Sequence, residues 1–381
     1  MSYFRKYAIL TSICLLVVTG QLSAQVKVTF EVIAPKSPDK VSKIYLVGND
    51  PALGDWDPGS IAMTQKNDSL WTYTAEFQEK KVLQFKITRG SWRSQAMFEA
   101  GILPDNILKV ARPDLVIKVK PLVWSDEYFV PVGSVIGDIK YHNDFKSSLL
   151  RYPRNLIVWL PPTYGKDISR RYPVIYMQDG QNIIDPKTAL RGYEWKVDET
   201  MDSLIRNNLV KEAIVVGVYH TPDREFEFID GDQGKNYISF FVNELKPFID
   251  KTYRTKPDRE NTSVMGSAMG GLVSFRLAWS NPQIFKYAAC FSPTFNLEND
   301  KILREVKTYK GPSKDLKIYL DCGTKGYDAE LHRSFEEMES ILKTKGYNDS
   351  NLMTFDDPNG DHDEKAWSSR FWRPVTFFLG N

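Results

Sequence analysis

A segment in the second half of the chain, from Thr262 to Arg276, places the tightest constraint on how this sequence can fold. It begins with the apolar run Thr262-Ser263-Val264-Met265, passes through Gly266-Ser267-Ala268-Met269-Gly270-Gly271, and continues into the helical run Leu272-Val273-Ser274-Phe275-Arg276. A strand, a tight turn and a helix in this order predict a turn at the edge of a sheet, with its central residue presented to a cleft. The glycines suit such a turn because the two backbones approach closely.

Continuous apolar runs precede this segment. Uninterrupted runs are typical of parallel strands buried on both faces, and they occur at 156–160, 173–177 and 213–218. Between such runs lie amphipathic stretches, and the one from Tyr237 to Tyr253 places its apolar residues on one helical face. We therefore predict that residues 134–381 form an α/β domain with a doubly wound sheet.

The N-terminal part has a different period. Apolar and polar residues alternate over 26–32 and again over 71–77, and Asn49-Asp50-Pro51 marks a turn between them. Short alternating strands joined by turns predict a small all-β sandwich domain over residues 25–120. Residues 121–133 contain prolines and a glycine without a clear period, and we expect a linker there.

The first 24 residues have the pattern of a cleaved export signal. Arg5 and Lys6 precede the apolar run from Ala8 to Val18, and Ala24 supplies a small residue at the cleavage point. The run is too short for a transmembrane helix, and Ile13 before Cys14 does not suit a lipoprotein signal. We expect cleavage near Ala24, an exported protein that is periplasmic or extracellular, and no later membrane span.

Charge and cysteine content exclude other classes. The formal net charge of the 381 residues is +2, so no nucleic-acid partner is expected. Cys290 and Cys322 lie in apolar stretches, which favours buried free thiols over a bridge. No cluster of His, Asp and Glu has metal-ligand spacing, and neither a metal nor another cofactor is expected. The oligomeric state stays open.

The segment from Tyr45 to Pro58, with Gly54-Asp55-Trp56, resembles the family 20 carbohydrate-binding modules, which bind starch, and Phe85-Lys86-Ile87 matches the strand that follows. The resemblance implies that Trp56 and Lys86 bind sugar together with a second aromatic residue, either Trp92 or Phe98. Flat aromatic faces stack on sugar rings, and a lysine donates hydrogen bonds to hydroxyls. Two alternatives stay open: Trp56 is a core residue that holds the turn, or the module is only a spacer.

The C-terminal region is similar to the putative esterase family of α/β-hydrolases, which is related to carbohydrate esterase family 1 and to enterochelin-esterase-like proteins. The segments that carry the resemblance are 176–182, 194–199, 253–255, 266–271, 291–293 and the stretch around His362. The resemblance implies that His362 is the general base and that Asp328 is the acid, with Glu330 as a weaker candidate. It places the oxyanion hole at the backbone N–H of Met269 and at one near Gln181. His220 follows a strand, so we also consider that it lines the cleft.

The position where the family carries its nucleophile holds Ala268. A methyl group cannot attack a carbonyl, and His362 then has no hydroxyl proton to accept. The neighbouring Ser267 is expected to point elsewhere, because adjacent side chains on a tight turn diverge. The alanine is either a natural loss or a serine replaced deliberately to trap substrate.

These observations favour an exported carbohydrate-binding, esterase-like protein that is catalytically impaired. Its expected partner is a glycan, either a starch-type glucan or an acylated polysaccharide or oligosaccharide. The alternative is an active serine-type carbohydrate esterase in which Ala268 is an engineered or misleading position. A purely structural or partner-binding role is a third possibility.

Overall fold

The computed structural model describes residues 24–35, 43–99, 102–129 and 133–381. The predicted export signal, with Cys14, lies outside the described residues and remains a prediction. Among the described helices, none has both the length and the apolar character needed to cross a bilayer.

The described residues of the N-terminal domain form two four-stranded sheets and contribute β7 to a further two-stranded sheet, and this confirms the predicted β domain. The sheets have the orders β4-β5-β1-β9 and β3-β2-β6-β8. Alternate residues of β1, including Val28 and Phe30, are buried in a core that also contains Trp71 and Phe85. The strands are β1 (Gln25–Ile33), β2 (Tyr45–Gly48), β3 (Ile61–Ala62), β4 (Thr64–Gln65), β5 (Leu70–Gln78), β6 (Val82–Thr88), β7 (Ala96–Met97), β8 (Ile107–Val110) and β9 (Leu115–Val119).

The segment predicted as a linker contains regular structure in its first half. Residues Val123–Trp124 form β10, which pairs with β7, and Ser125–Tyr128 form the short helix α1. The Trp124 side chain is fully buried in the N-terminal core. The expectation of an irregular linker therefore differs from the structure over these residues, because a two-residue strand is too short to show a period in the sequence.

The C-terminal domain is built on an eight-stranded sheet with the order β11-β12-β14-β13-β15-β16-β17-β18. The last six strands in this order, β14-β13-β15-β16-β17-β18, are parallel to one another, whereas β11 and β12 are antiparallel to their neighbours. This confirms the predicted, mainly parallel α/β sheet. The strands are β11 (Asp138–Phe145), β12 (Arg154–Leu160), β13 (Val174–Gln178), β14 (Ile214–Val218), β15 (Thr262–Ser267), β16 (Tyr287–Phe291), β17 (Lys317–Gly323) and β18 (Leu352–Asp357).

Helices cover both faces of this sheet and enclose two apolar cores. Cys290 and Cys322 are buried and free, as predicted. A π-helical turn, Phe241–Leu245, joins α4 to α5 within the amphipathic stretch described above. The helices are α2 (Val197–Arg206), α3 (Arg224–Glu227), α4 (Asp232–Phe240), α5 (Lys246–Thr252), α6 (Met269–Ser280), α7 (Leu297–Thr308), α8 (Asp328–Thr344), α9 (Glu364–Arg370) and α10 (Trp372–Leu379).

The carboxyl ends of the parallel strands position the candidate site. Asp179 follows β13, Ala268 follows β15, Asp328 lies beyond β17, and His362 lies beyond β18. Because parallel strands end at the same edge of a sheet, residues that are far apart in the sequence can meet there.

Candidate active site

The turn between β15 and α6 holds Ala268 in a strained conformation, with φ 52° and ψ −122°. A side chain at Gly266 would bring a Cβ within 2.5 Å of the Gly270 carbonyl oxygen, so only glycine fits there. A non-glycine residue in such a sparsely populated region costs on the order of 1–3 kcal/mol and persists only where its surroundings enforce it. The chain therefore keeps the backbone of a nucleophile turn while its side chain ends in a methyl group.

The residues expected at the oxyanion hole lie at this same edge. Met269 is the first residue of α6, and the first intrahelical bond runs from Leu272 N to Ala268 O at 3.1 Å. The N–H of Met269 precedes that bond and has no acceptor within the helix. Gln181 lies in the 3₁₀ turn Gly180–Asn182 that follows β13, the strand beside β15. Their role in binding an oxyanion stays a prediction.

The expected base and acid are in direct contact. His362 Nδ1 lies 2.6 Å from Asp328 Oδ1, and the Asp328 carboxylate is fully buried at the start of α8. Glu330, the weaker candidate, is exposed two residues further along the helix. The rings of Tyr327 and Trp367 stand edge-on to the imidazole, with centroids 5.0 and 4.9 Å away. The geometry therefore favours Asp328 over Glu330 as the partner of His362.

Ser292 supports this pair, and the sequence argument missed it. Its hydroxyl donates to Asp328 Oδ2 at 2.7 Å and accepts from Trp367 Nε1 at 3.0 Å and Arg370 Nη2 at 3.1 Å. Burial alone would raise the pKa of Asp328, but hydrogen bonds from His362 and Ser292 hold it below its usual value. Asp328 is therefore ionised at neutral pH and orients the imidazole. Phe291-Ser292-Pro293 was a matching segment in the sequence, but nothing in it indicated this role.

A second buried acid lies beside the turn. Asp179, with φ 55°, accepts two hydrogen bonds of 2.7 Å from Arg224 and lies 2.7 Å from His220 Nδ1. Burial would raise the pKa of Asp179, but the Arg224 guanidinium and the hydrogen bonds hold it far below the usual range. Its Oδ2 is 3.0 Å from the position that a Cβ on Gly270 would take. The network therefore fixes His220 at the cleft, as considered above, and a side chain at position 270 would crowd the Asp179 carboxylate.

In the N-terminal domain, three of the four candidate sugar-binding residues come together. The rings of Trp56 and Trp92 are 6.5 Å apart and inclined by 33°, and Lys86 Nζ lies 5.9 Å from the Trp92 centroid. Phe98 is 41% exposed and does not line the cavity that these three residues share. The geometry therefore selects Trp92 over Phe98 as the second aromatic residue, and sugar binding itself stays a prediction.

One group of carboxylates meets the distance requirement for a cation, contrary to the expectation from sequence spacing. Oxygens of Glu194, Asp198 and Glu199 lie within 4.8 Å of one another. Such oxygens are ligands for Ca²⁺. Burial raises the pKa of Glu194 to about 8 and that of Asp198 to about 7, the latter helped by Glu199. Glu194 therefore keeps its proton at neutral pH and Asp198 is partly protonated, which reduces the repulsion among these carboxylates.

Comparison with known families agrees with this architecture. Residues 147–378 match the family described as "Putative esterase", and residues 25–114 match the starch binding domain family. The chain therefore belongs to the putative esterase family and carries a carbohydrate-binding module at its N-terminal side.

Individual relatives point the same way. A protein of Xylanibacter ruminicola named endo-1,4-beta-xylanase/feruloyl esterase is 30% identical over 202 residues, which are 52% of this chain and 26% of that protein. This chain thus spans about a quarter of that relative's length.

Solved structures show the fold. A ferulic acid esterase aligns with a TM-score of 0.54 at 20% identity, over 64% of this chain and 98% of that one. The enterobactin esterase of Shigella flexneri aligns with a TM-score of 0.53 at 15% identity, over 93% of both chains. The second alignment includes both domains, so their combination within one chain has a structural parallel.

Proposed function

We propose that this chain is an exported carbohydrate-binding, esterase-like protein whose α/β-hydrolase domain binds acylated glycans and has lost most of its hydrolytic activity. The observation that carries the proposal is the methyl side chain of Ala268 on the strained turn between β15 and α6. Without a hydroxyl at that position, the imidazole of His362 has no nucleophile to activate.

The surrounding groups support retained binding. The Asp328–His362 contact, the glycine-lined turn and the N-terminus of α6 are all in place. A carbonyl oxygen can still be polarised by backbone N–H groups, because those donors do not depend on the missing hydroxyl. The relationship to a protein named as a feruloyl esterase suggests aromatic acyl esters of polysaccharides as the ligand class. The starch-binding-domain match supports glucan binding by the N-terminal domain.

The test compares the native chain with Ala268→Ser on p-nitrophenyl acetate and on a feruloyl-sugar ester. We expect the native chain to stay near background and Ala268→Ser to hydrolyse both esters roughly a thousandfold faster or more, since removing a serine nucleophile costs up to about a millionfold. A fluorophosphonate probe should label only the serine variant.

Two results contradict the proposal. Equal, substantial hydrolysis by both chains means that another residue is the nucleophile and that the native chain is an active esterase. Two inert chains mean that His362 and Asp328 no longer support acyl transfer. The predicted export is tested separately, by finding whether the mature N-terminus after secretion is Gln25.

A further inference from the structure

Two cavities lie where the N-terminal domain faces the esterase domain. The first, of about 180 Å³, is bounded on one side by Trp56 and Lys86 and on the other by Pro222 and Glu225. The second, of about 520 Å³, extends to Gln181. We call the two cavities together the interdomain cleft, because they share the lining residues Trp92, Leu190, His220, Thr221 and Pro222.

The cleft is held by polar contacts between the domains. The Arg93 guanidinium donates to the main-chain carbonyl of Lys187, and Arg151 lies 3.9 Å from Asp55. Trp56 is only 9% exposed, although it belongs to the residues that the module would use for sugar. A platform for a long polysaccharide needs an open aromatic face, whereas this aromatic pair faces the esterase domain.

The polar groups of the cleft come from both domains. Lys86 Nζ donates to Gln95 Oε1 at 3.3 Å from the N-terminal side. Lys86 of the N-terminal domain and Glu225 of the esterase domain line the same cavity. Burial lowers the pKa of Lys86, and the charges of Asp105 and Glu225 partly oppose this. Aromatic faces with lysine, amide and carboxylate groups around them suit the alternating apolar faces and hydroxyls of a sugar.

The cleft reaches the candidate active site at Gln181. Gln181, which lines its second cavity, bonds through its side chain to His220, and His220 contacts Asp179 beside the turn. Leu190, which lines both cavities, donates its backbone N–H to the Asn182 side chain. The Asn182 side chain donates in turn to Glu364, which lies two residues from His362 in the sequence. A ligand seated between Trp56 and Glu225 that extends into the second cavity reaches Gln181, near which the oxyanion hole is predicted.

We propose that the aromatic pair of the N-terminal domain and the His220–Glu225 loop of the esterase domain form one binding site for the sugar portion of an acylated oligosaccharide. The ester end of that ligand extends past Trp92 and His220 toward Gln181. The N-terminal domain is then a wall of the substrate cleft and not an independent platform for long glucan chains. The acyl part of this inference rests on the proposed function.

Binding is tested on the full chain by calorimetry with maltopentaose and xylopentaose. We expect at least one pentaose to bind, and Trp92→Ala and Glu225→Ala each to weaken its binding by about fivefold or more, since each removes a side chain that lines the proposed sugar site. Trp372→Ala and Glu336→Ala, which alter an exposed tryptophan and an exposed glutamate outside the cleft, should leave the affinity unchanged. Thermal melts establish that all four variants are folded.

If Trp92→Ala weakens binding and Glu225→Ala does not, the N-terminal domain binds sugar alone and the shared site is wrong. If neither pentaose binds, the inference is also wrong. In the Ala268→Ser chain, Trp92→Ala should raise the KM for a feruloylated oligosaccharide and leave the KM for methyl ferulate unchanged.

The kinetic arm separates this inference from the proposed function. If Ala268→Ser hydrolyses methyl ferulate and Trp92→Ala leaves both KM values unchanged, the shared cleft is wrong and the proposed function stands. If Ala268→Ser is inert on both esters, the proposed function fails, and pentaose binding still decides whether the two domains share a sugar site.

Discussion

The two halves of the candidate active site differ in whether the expected functional group is present. On the acid–base side, Asp328 is fully buried and accepts from Ser292 and from the Gly323 N–H, and it contacts His362 at 2.6 Å. On the nucleophile side, Ala268 keeps a φ of 52° but offers no hydrogen-bonding side chain. The halves differ in one functional group, the side chain at position 268, which is a methyl group.

This difference teaches that the conformation of the turn does not depend on a hydrogen-bonding side chain at position 268. Alanine gains nothing from a strained turn, so the conformation is enforced by neighbours, among them the backbone packing of Gly266 against Gly270 and the bond from Ala268 N to Phe291 O at 2.9 Å. Likewise, Asp328 and Ser292 are packed into the core, where removing a partner leaves a buried group unsatisfied. Variants of Asp328, Ser292 and Glu194 test whether the acid–base half is as intact as its geometry suggests.

The largest effect is expected from Asp328→Asn in the Ala268→Ser chain. An amide at this position cannot stabilise an imidazolium and favours the wrong tautomer of His362, so kcat should fall by about 10⁴-fold, as it does in serine proteases. Steady-state kinetics on p-nitrophenyl acetate measure the change. The matched control is Glu330→Gln, an exposed acid on the same helix, which should change kcat by less than about twofold, consistent with a solvated side chain. A larger loss with Glu330→Gln would make it the acid instead.

The next effect concerns stability. Ser292→Ala removes one donor to Asp328 and an acceptor for Trp367 and Arg370, and we expect it to lower the free energy of unfolding by about 2–3 kcal/mol. Urea denaturation measures this loss. Ser274→Ala is the control, because the Ser274 hydroxyl is equally buried but has no hydrogen-bond partner among the described residues, so its removal should be neutral or stabilising. Equal losses in both variants would show that the network around Asp328 contributes nothing beyond packing.

The sequence predicted the two domains, the parallel sheet and the turn at Ala268 because these depend on local patterns. Apolar runs mark buried strands, and the glycines around Ala268 are required by a close backbone approach that any such turn makes. The identity of Asp328 was harder to fix, since it lies several residues beyond the strand, and only its position at the start of α8 aims it at His362.

Contacts between distant segments escaped prediction. Ser292 follows β16, Asp328 begins α8 and Arg370 ends α9, and no spacing in the sequence encodes their meeting. The choice of Trp92 over Phe98 likewise depends on the 3₁₀ turn Trp92–Ser94, which carries the first ring toward Trp56. Trp124 could not be assigned to the N-terminal core because its strand is two residues long. Sequence patterns therefore determined the elements, whereas the site depends on how the ends of those elements converge.

The smallest effect is expected at the carboxylate cluster, which adjoins the acid–base half. Trp195, next to Glu194, lies 5.7 Å from the Trp367 ring that contacts His362. The pKa of Glu194 is raised by burial from an ordinary value of 4.5 to about 8. Between these pH values Glu194 is protonated in the folded chain and ionised in the unfolded chain. The contribution of Glu194 to stability is therefore greatest at the low end of this window and falls as the pH rises through it.

Thermal and urea unfolding between pH 6 and pH 8.5, in the presence of EDTA, should therefore show a loss of about 2–4 kcal/mol for the native chain. Glu194→Gln retains the shape of the side chain and has no proton to lose, so its loss should be about a third as large, with Asp198 supplying the remainder because its pKa of about 7 is also raised. Glu336→Gln, an exposed control, should follow the native profile. If Glu194→Gln also follows the native profile, Glu194 is ionised throughout this pH range. Raising the pH would then leave unchanged the packing of Trp195 against Trp367, the ring that contacts His362.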